Sequence, residues 1–134
     1  MRLTTATMFA AILAAAALTA AGRDAAAQFS LPTPPKLDAA TLFSRQCGTC
    51  HVAVADGGAR QGPNLHGVIG RKAGTVPGFN YSAGYPASGI VWTAATLDTY
   101  LANPQAMIPG SVMAYRQADP QIRQTIIAWL ATQS

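Results

Sequence analysis

Cys47-Gly48-Thr49-Cys50-His51 holds both cysteines of the chain and one of its two histidines. C-x-x-C-H is the attachment pattern of c-type haem. Two thiols three residues apart, at the end of a helix, can each form a thioether with a haem vinyl group. The adjacent imidazole is then directed at the iron from one face, and the covalent bonds keep the haem attached in an open compartment. Three other readings compete for the same residues. A Cys47–Cys50 disulfide is compatible with export. A thioredoxin-like pair requires a βαβ context, which the sequence lacks. A zinc site needs a fourth ligand, and only His66 is left to supply it.

The flanks favour haem. On the N-terminal side Asp38 is an N-cap, and Ala39, Leu42, Phe43 and Gln46 follow at helical spacing, with an end expected near Gly48. On the C-terminal side, nine glycines and three prolines fall between Gly57 and Gly89, and no periodicity survives. So long an irregular stretch is unusual in a compact domain, and a macrocycle at its centre can supply the core that a glycine-rich chain cannot. Helical signals then return. Thr93 opens a helix through Leu97, Tyr100 and Leu101. Asn103-Pro104 and Asp119-Pro120 each place a cap before proline at the first helical position, and the second opens a helix with Ile122, Ile126, Trp129 and Leu130 on one face. The expectation is an all-α fold of three to five helices with long loops wrapped around one covalently bound haem.

A haem held by His51 needs a second protein ligand or an open position. The candidates are His66, Met107 and Met113. His66 lies close to His51 in Gly62-Pro63-Asn64-Leu65-His66-Gly67 and reads as a surface residue. Met107 falls in the turn opened by Asn103. Met113 follows Ile108-Pro109-Gly110-Ser111-Val112, where Pro109 and Gly110 break the turn and let an extended segment present a side chain inward.

Half of the 134 residues are hydrophobic, an excess that sits at the front. Residues 1–27 contain Arg2, the apolar run Met8 to Ala21 broken only by Thr19, and Ala25-Ala26-Ala27 before Gln28. This is the layout of a secretory signal peptide, too short to span a bilayer comfortably, which takes about 20 apolar residues. An uncleaved anchor is the competing reading. Residues 28–37, with Pro32, Pro34 and Pro35, read as an extended tail, and 38–134 as the folded domain. Without 1–27 the chain carries seven Lys and Arg against four Asp, a net of +3. These charges do not cluster, so a nucleic-acid partner is not indicated.

The segments CGTCH (47–51), GPNLHGVIGRKAGTVPGFNYS (62–82), IVWTAATLDTYLANP (90–104), IPGSVM (108–113) and IIAWL (126–130) resemble the class I c-type cytochromes, close to mitochondrial cytochrome c and bacterial cytochrome c2. The register from Cys47 to Met113 needs no insertion or deletion. The resemblance implies thioethers through Cys47 and Cys50, His51 as proximal ligand and Met113 as distal ligand, which decides among the three candidates. It implies that the Pro63 carbonyl orients the His51 ring, and that Arg71, Tyr81 and Trp92 pair a buried haem propionate, since a buried carboxylate must be paired. It places Tyr100 beside the methionine sulfur, and Ser111, where the family often has Thr, near the distal propionate and ligand loop. Ala39 and Phe43 match the crossing of the first helix on the last, against Ile126 and Trp129.

Three departures stand out. The lysine ring that the family carries around the haem edge is largely replaced by Gln46, Gln105, Ala106 and Val112, although Lys36, Arg60, Lys72 and Arg116 remain. Tyr85 occupies a position where the family commonly has Asn. The segment after Met113 is slightly shorter than usual. The implied function is a monomeric, periplasmic one-electron carrier between redox proteins, transiently docking at a membrane complex, rather than an enzyme. The alternatives are a haem enzyme with a labile methionine, of peroxidase type, and a cytochrome subunit of a periplasmic dehydrogenase.

Overall fold

The computed structural model describes residues 37–134; the expected signal and all of the proline-rich tail except Leu37 lie outside the described residues. The described part holds five helices: α1 (Ala39–Gln46), α2 (Gly84–Ala87), α3 (Ala94–Ala102), α4 (Pro104–Met107) and α5 (Pro120–Leu130).

The starts of four of them follow from capping chemistry. Asp38 accepts the Thr41 N–H at 3.0 Å and opens α1. Thr93 and Thr96 satisfy each other's backbone N–H groups at 3.1 and 2.8 Å and open α3. Asn103 and Asp119 cap α4 and α5, each with proline in the first turn, where its missing N–H costs nothing. The single turn α2 lies inside the stretch expected to be irregular. It survives without a side-chain cap because Pro86 falls among the first residues, whose N–H groups have no intrahelical acceptor anyway.

Two long contacts set the frame. Phe43 of α1 stacks on Trp129 of α5 with ring centroids 4.5 Å apart and planes tilted by 32°. The crossing expected from the sequence is therefore present. Ile126, one turn earlier on α5, is completely buried. Arg123 of α5 reaches Asp98 of α3 through two nitrogens, at 2.8 and 3.2 Å, and donates to the Gln117 and Ala118 carbonyls at 2.9 Å each. That planar fork fixes α3, α5 and the chain entering α5 with one side chain.

The irregular stretch is held by side chains and a minimal ladder. Asn64 donates to the Val54 carbonyl at 2.8 Å and accepts the His66 N–H at 2.8 Å. Residues 70–73 and 90–92 pair antiparallel about a Lys72–Val91 bridge, with Trp92 N–H donating to the Arg71 carbonyl at 2.9 Å. The pairing brings Arg71 and Trp92, 21 positions apart in sequence, to neighbouring places beside the core.

Candidate functional site

The C-terminal turn of α1 delivers the cysteines. The Cys50 and His51 N–H groups both donate to the Cys47 carbonyl, at 3.0 and 2.8 Å, so the motif is wound into one tight turn. Cys47 and Cys50 form no disulfide with each other. Burial, and secondly the neighbouring Cys50, push the Cys47 thiol up to about 11. Cys50 Sγ donates to Gln61 at 3.4 Å.

His51 is fixed from behind. Its Nδ1 lies 2.8 Å from the Pro63 carbonyl oxygen. A carbonyl can only accept, so Nδ1 carries the proton and Nε2 keeps its lone pair. Burial lowers the pKa of the ring, and the carbonyl bond opposes that shift. Gly62 is required here: a Cβ on it would lie 2.2 Å from His51 Cε1. The backbone passes flat against the imidazole and closes it in.

His51 lines a largely apolar cavity. Leu65, Val68, Leu97, Leu101, Ile126 and Leu130 supply much of its apolar wall. Met113 lines it as well. Gly110 has φ +82°, a conformation open to glycine, and turns the chain after the buried Ile108 so that residues 111–113 run past the cavity. The Tyr100 hydroxyl donates to Met113 Sδ at 3.3 Å.

Of the ten residues expected from the sequence, the same cavity is lined by Cys47, His51, Pro63, Arg71, Tyr81, Trp92, Tyr100 and Met113. Cys50 and Ser111 stand outside the lining. Ser111 is buried behind Met113, and its hydroxyl accepts the Met113 N–H at 3.3 Å. Ser82 carries no signal of a site residue in the sequence, and Tyr85 stands out there only as a departure from the family pattern. Both line the cavity. The Ser82 hydroxyl is buried with no hydrogen-bond partner among the described residues. No pattern in the sequence distinguishes Ser82 from a surface serine, because only the fold buries it.

The donor set can be tested against a haem. The Arg71 guanidinium donates to the His66 and Asn64 carbonyls at 2.8 Å each, and it forms no ion pair with a carboxylate among the described residues. Burial lowers its pKa, and the neighbouring Tyr81 opposes this. A cation with spare N–H groups, an orphaned buried hydroxyl, a phenol and an indole therefore border one apolar cavity. That combination fits an apolar ring carrying carboxylates, with an imidazole and a thioether among its walls and a thiol turn at its edge. A zinc centre fits poorly, since no group of three or more His, Cys, Asp or Glu comes together among the described residues.

Comparison with known proteins agrees with the geometry. The sequence profile described as cytochrome c matches residues 37–134. Cytochrome c2 of Rhodopila globiformis is 43% identical over 104 residues, which cover 77% of this chain and 97% of that protein. Cytochrome c2 of Rhodomicrobium vannielii is 46% identical over 90 residues, covering 66% of this chain and 72% of that protein. Cytochrome c of Trypanosoma brucei brucei is 48% identical over 82 residues, covering 60% and 88%. The fold around the cavity, the thiol turn and these similarities converge: the chain belongs to the cytochrome c family, mono-haem electron carriers with covalently bound haem c.

Proposed function

We propose that this chain is a periplasmic carrier that moves one electron at a time between redox proteins through a haem iron held by His51 and Met113. The observation that carries the reading is the cavity shared by His51 and Met113, with the Cys47 thiol at its edge. When bound, the haem supplies the change between Fe(II) and Fe(III). The residues supply everything else. Cys47 and Cys50 attach the ring. The Pro63 carbonyl holds the proton of His51 on Nδ1 and so presents Nε2 as the ligand. Arg71, Tyr81 and Trp92 hold a propionate, and the buried Ser82 hydroxyl adds a donor. Tyr100 holds the Met113 sulfur, and Ser111 holds its backbone. With His51 and Met113 both serving as ligands, no position would be left open for substrate, which favours electron transfer over peroxidase-type chemistry, and a His/Met pair would raise the potential.

Residues 1–27 act as the export signal, and residues 28–37 as a short tail before the folded domain. The partner surface is weakly charged. Val112 is 83% exposed beside Met113, and the exposed Gln105 and Ala106 border the same segment of sequence. Docking there relies on shape and apolar contact more than on steering between opposite charges.

Mass spectrometry of the mature protein tests attachment and processing together. One haem added to a chain beginning at Gln28 is the expected result. The ferric spectrum tests the ligands: low-spin, with the weak methionine–iron band toward the red. A high-spin ferric spectrum at neutral pH, or fast binding of CO, cyanide or peroxide, would overturn the Met113 assignment in favour of an enzyme.

A further inference from the structure

Three hydroxyls meet behind Met113. The Tyr85 and Tyr100 oxygens are 2.6 Å apart, Tyr85 and Ser111 are 2.8 Å apart, and Tyr100 and Ser111 are 3.4 Å apart. Tyr100 reaches Met113 Sδ at 3.3 Å, and Ser111 accepts the Met113 N–H at 3.3 Å. Each hydroxyl has one proton to give.

Because the Met113 sulfur can only accept, Tyr100 gives its proton there, and that count then selects one arrangement. The contacts of 2.6 and 2.8 Å are ordinary O–H···O lengths, so each must contain a proton; the 3.4 Å contact is long for such a bond. If the three hydroxyls donated around a closed ring, one proton would sit in the long contact and the sulfur would receive none. If Tyr100 donates to sulfur, the short contact to Tyr85 must be filled by the Tyr85 proton. The next contact must then be filled by the Ser111 proton. The chain runs from Met113 N–H to Ser111, to Tyr85, to Tyr100 and back to Met113 Sδ. Every hydroxyl in it donates once and accepts once, and each bond polarises the next.

We infer that Tyr85 is a positioning residue for the electron-transfer centre: by donating to Tyr100, it commits the Tyr100 proton to the Met113 sulfur. This rests on Met113 being the distal ligand. A hydrogen bond on the sulfur withdraws electron density from the thioether. The ferric iron, which needs that density more, is then less stabilised, and the potential is higher than it would be with a free sulfur. Without the Tyr85 hydroxyl, the Tyr100 proton is shared between Ser111 and the sulfur.

Redox titration of the purified holoprotein and three variants tests this, with the ferric methionine–iron band as a second readout. Tyr85→Phe is expected to lower the midpoint potential and shift that band. Tyr100→Phe is expected to lower it at least as much. The double variant Tyr85→Phe/Tyr100→Phe is expected to match Tyr100→Phe alone, because Tyr85 acts through Tyr100. Ser111→Ala leaves the Tyr85-to-Tyr100 bond in place and is expected to move the potential less than Tyr85→Phe. Should Tyr85→Phe fold poorly, a Ser111→Ala shift as large as that of Tyr100→Phe overturns the role of Tyr85. A Tyr85→Phe potential equal to that of the parent, with the parent's methionine–iron band present, overturns the role of Tyr85. So does a double variant whose shift is the sum of the two single shifts. A parent without that band overturns the proposal at its premise, which separates the two failures.

Discussion

The Nδ1 of His51 stands 2.8 Å from the Pro63 carbonyl oxygen, across 12 residues of chain, and the intervening Gly62 backbone lies against the imidazole. One carbonyl and one missing side chain thus fix both the orientation and the protonation of the ring.

Gly62→Ala breaks this arrangement. Its Cβ would fall 2.2 Å from Cε1 and 2.7 Å from Nε2 of His51. The ring must leave its place or the loop must move. Overpacking of this kind costs about 1–3 kcal/mol. The expected result is a lower yield of holoprotein and a lower Tm, read by the ratio of haem absorbance to protein and by thermal melts.

Ile126 is completely buried where α5 meets the cavity. Ile126→Val is expected to cost about 0.5–1.5 kcal/mol and Ile126→Ala about 2–5 kcal/mol. Guanidinium unfolding of the oxidised holoprotein measures both. Equal, small effects would show that the wall collapses onto the space left behind.

Asp98 makes stability depend on acid. The Arg123 hydrogen bond, and after it the Arg123 charge, hold its carboxyl below the usual aspartate value of 3.8, with desolvation opposing. The folded chain therefore binds this proton less readily than the unfolded one. The ion pair stabilises the fold fully above the ordinary carboxylate range, and that stabilisation is lost as pH falls below it. Asp98→Asn is expected to lower Tm at neutral pH, with the gap to the parent starting to close only as pH falls through 3.8 and closing further in stronger acid. Curves that stay parallel into acid would remove Asp98 from the acid transition.

Tyr115, two residues after Met113, donates to Gln46 of α1, and Gln117 donates to the same oxygen at 2.9 Å. These bonds hold the segment that carries Met113 against the helix that leads into Cys47. Tyr115→Phe removes one of them, a loss of about 0.5–1.5 kcal/mol. It is expected to speed cyanide binding to the ferric protein, measured by stopped flow, because the Met113 segment can lift more often.

Association with a physiological partner should depend little on ionic strength, since few charges flank Val112. Adding charge at the exposed positions through Gln105→Lys and Ala106→Lys should steepen the salt dependence of the bimolecular rate with an acidic partner. Rates that already fall steeply with salt in the parent would show that distant charges steer docking.

The sequence by itself determined the thiol turn, four helix starts and the helical class. Each depends on residues a few positions apart: two cysteines and a histidine in one turn, Asp38 with Thr41, Thr93 with Thr96, proline after Asn103 and after Asp119. The family likeness then indicated Pro63, Arg71, Tyr81, Trp92, Tyr100, Ser111 and Met113, and eight of the ten residues expected at the site line one cavity. The turn α2 was not legible, because the glycines and Pro86 around it mask a helical signal too short to show periodicity. The buried hydroxyl of Ser82 and the meeting of Tyr85 with Tyr100 and Ser111 were decided only by the tertiary structure. Tyr85 is 15 residues from Tyr100 and 26 from Ser111. A hydrogen bond over that distance in sequence exists only once the packing of the whole chain has brought its two ends together.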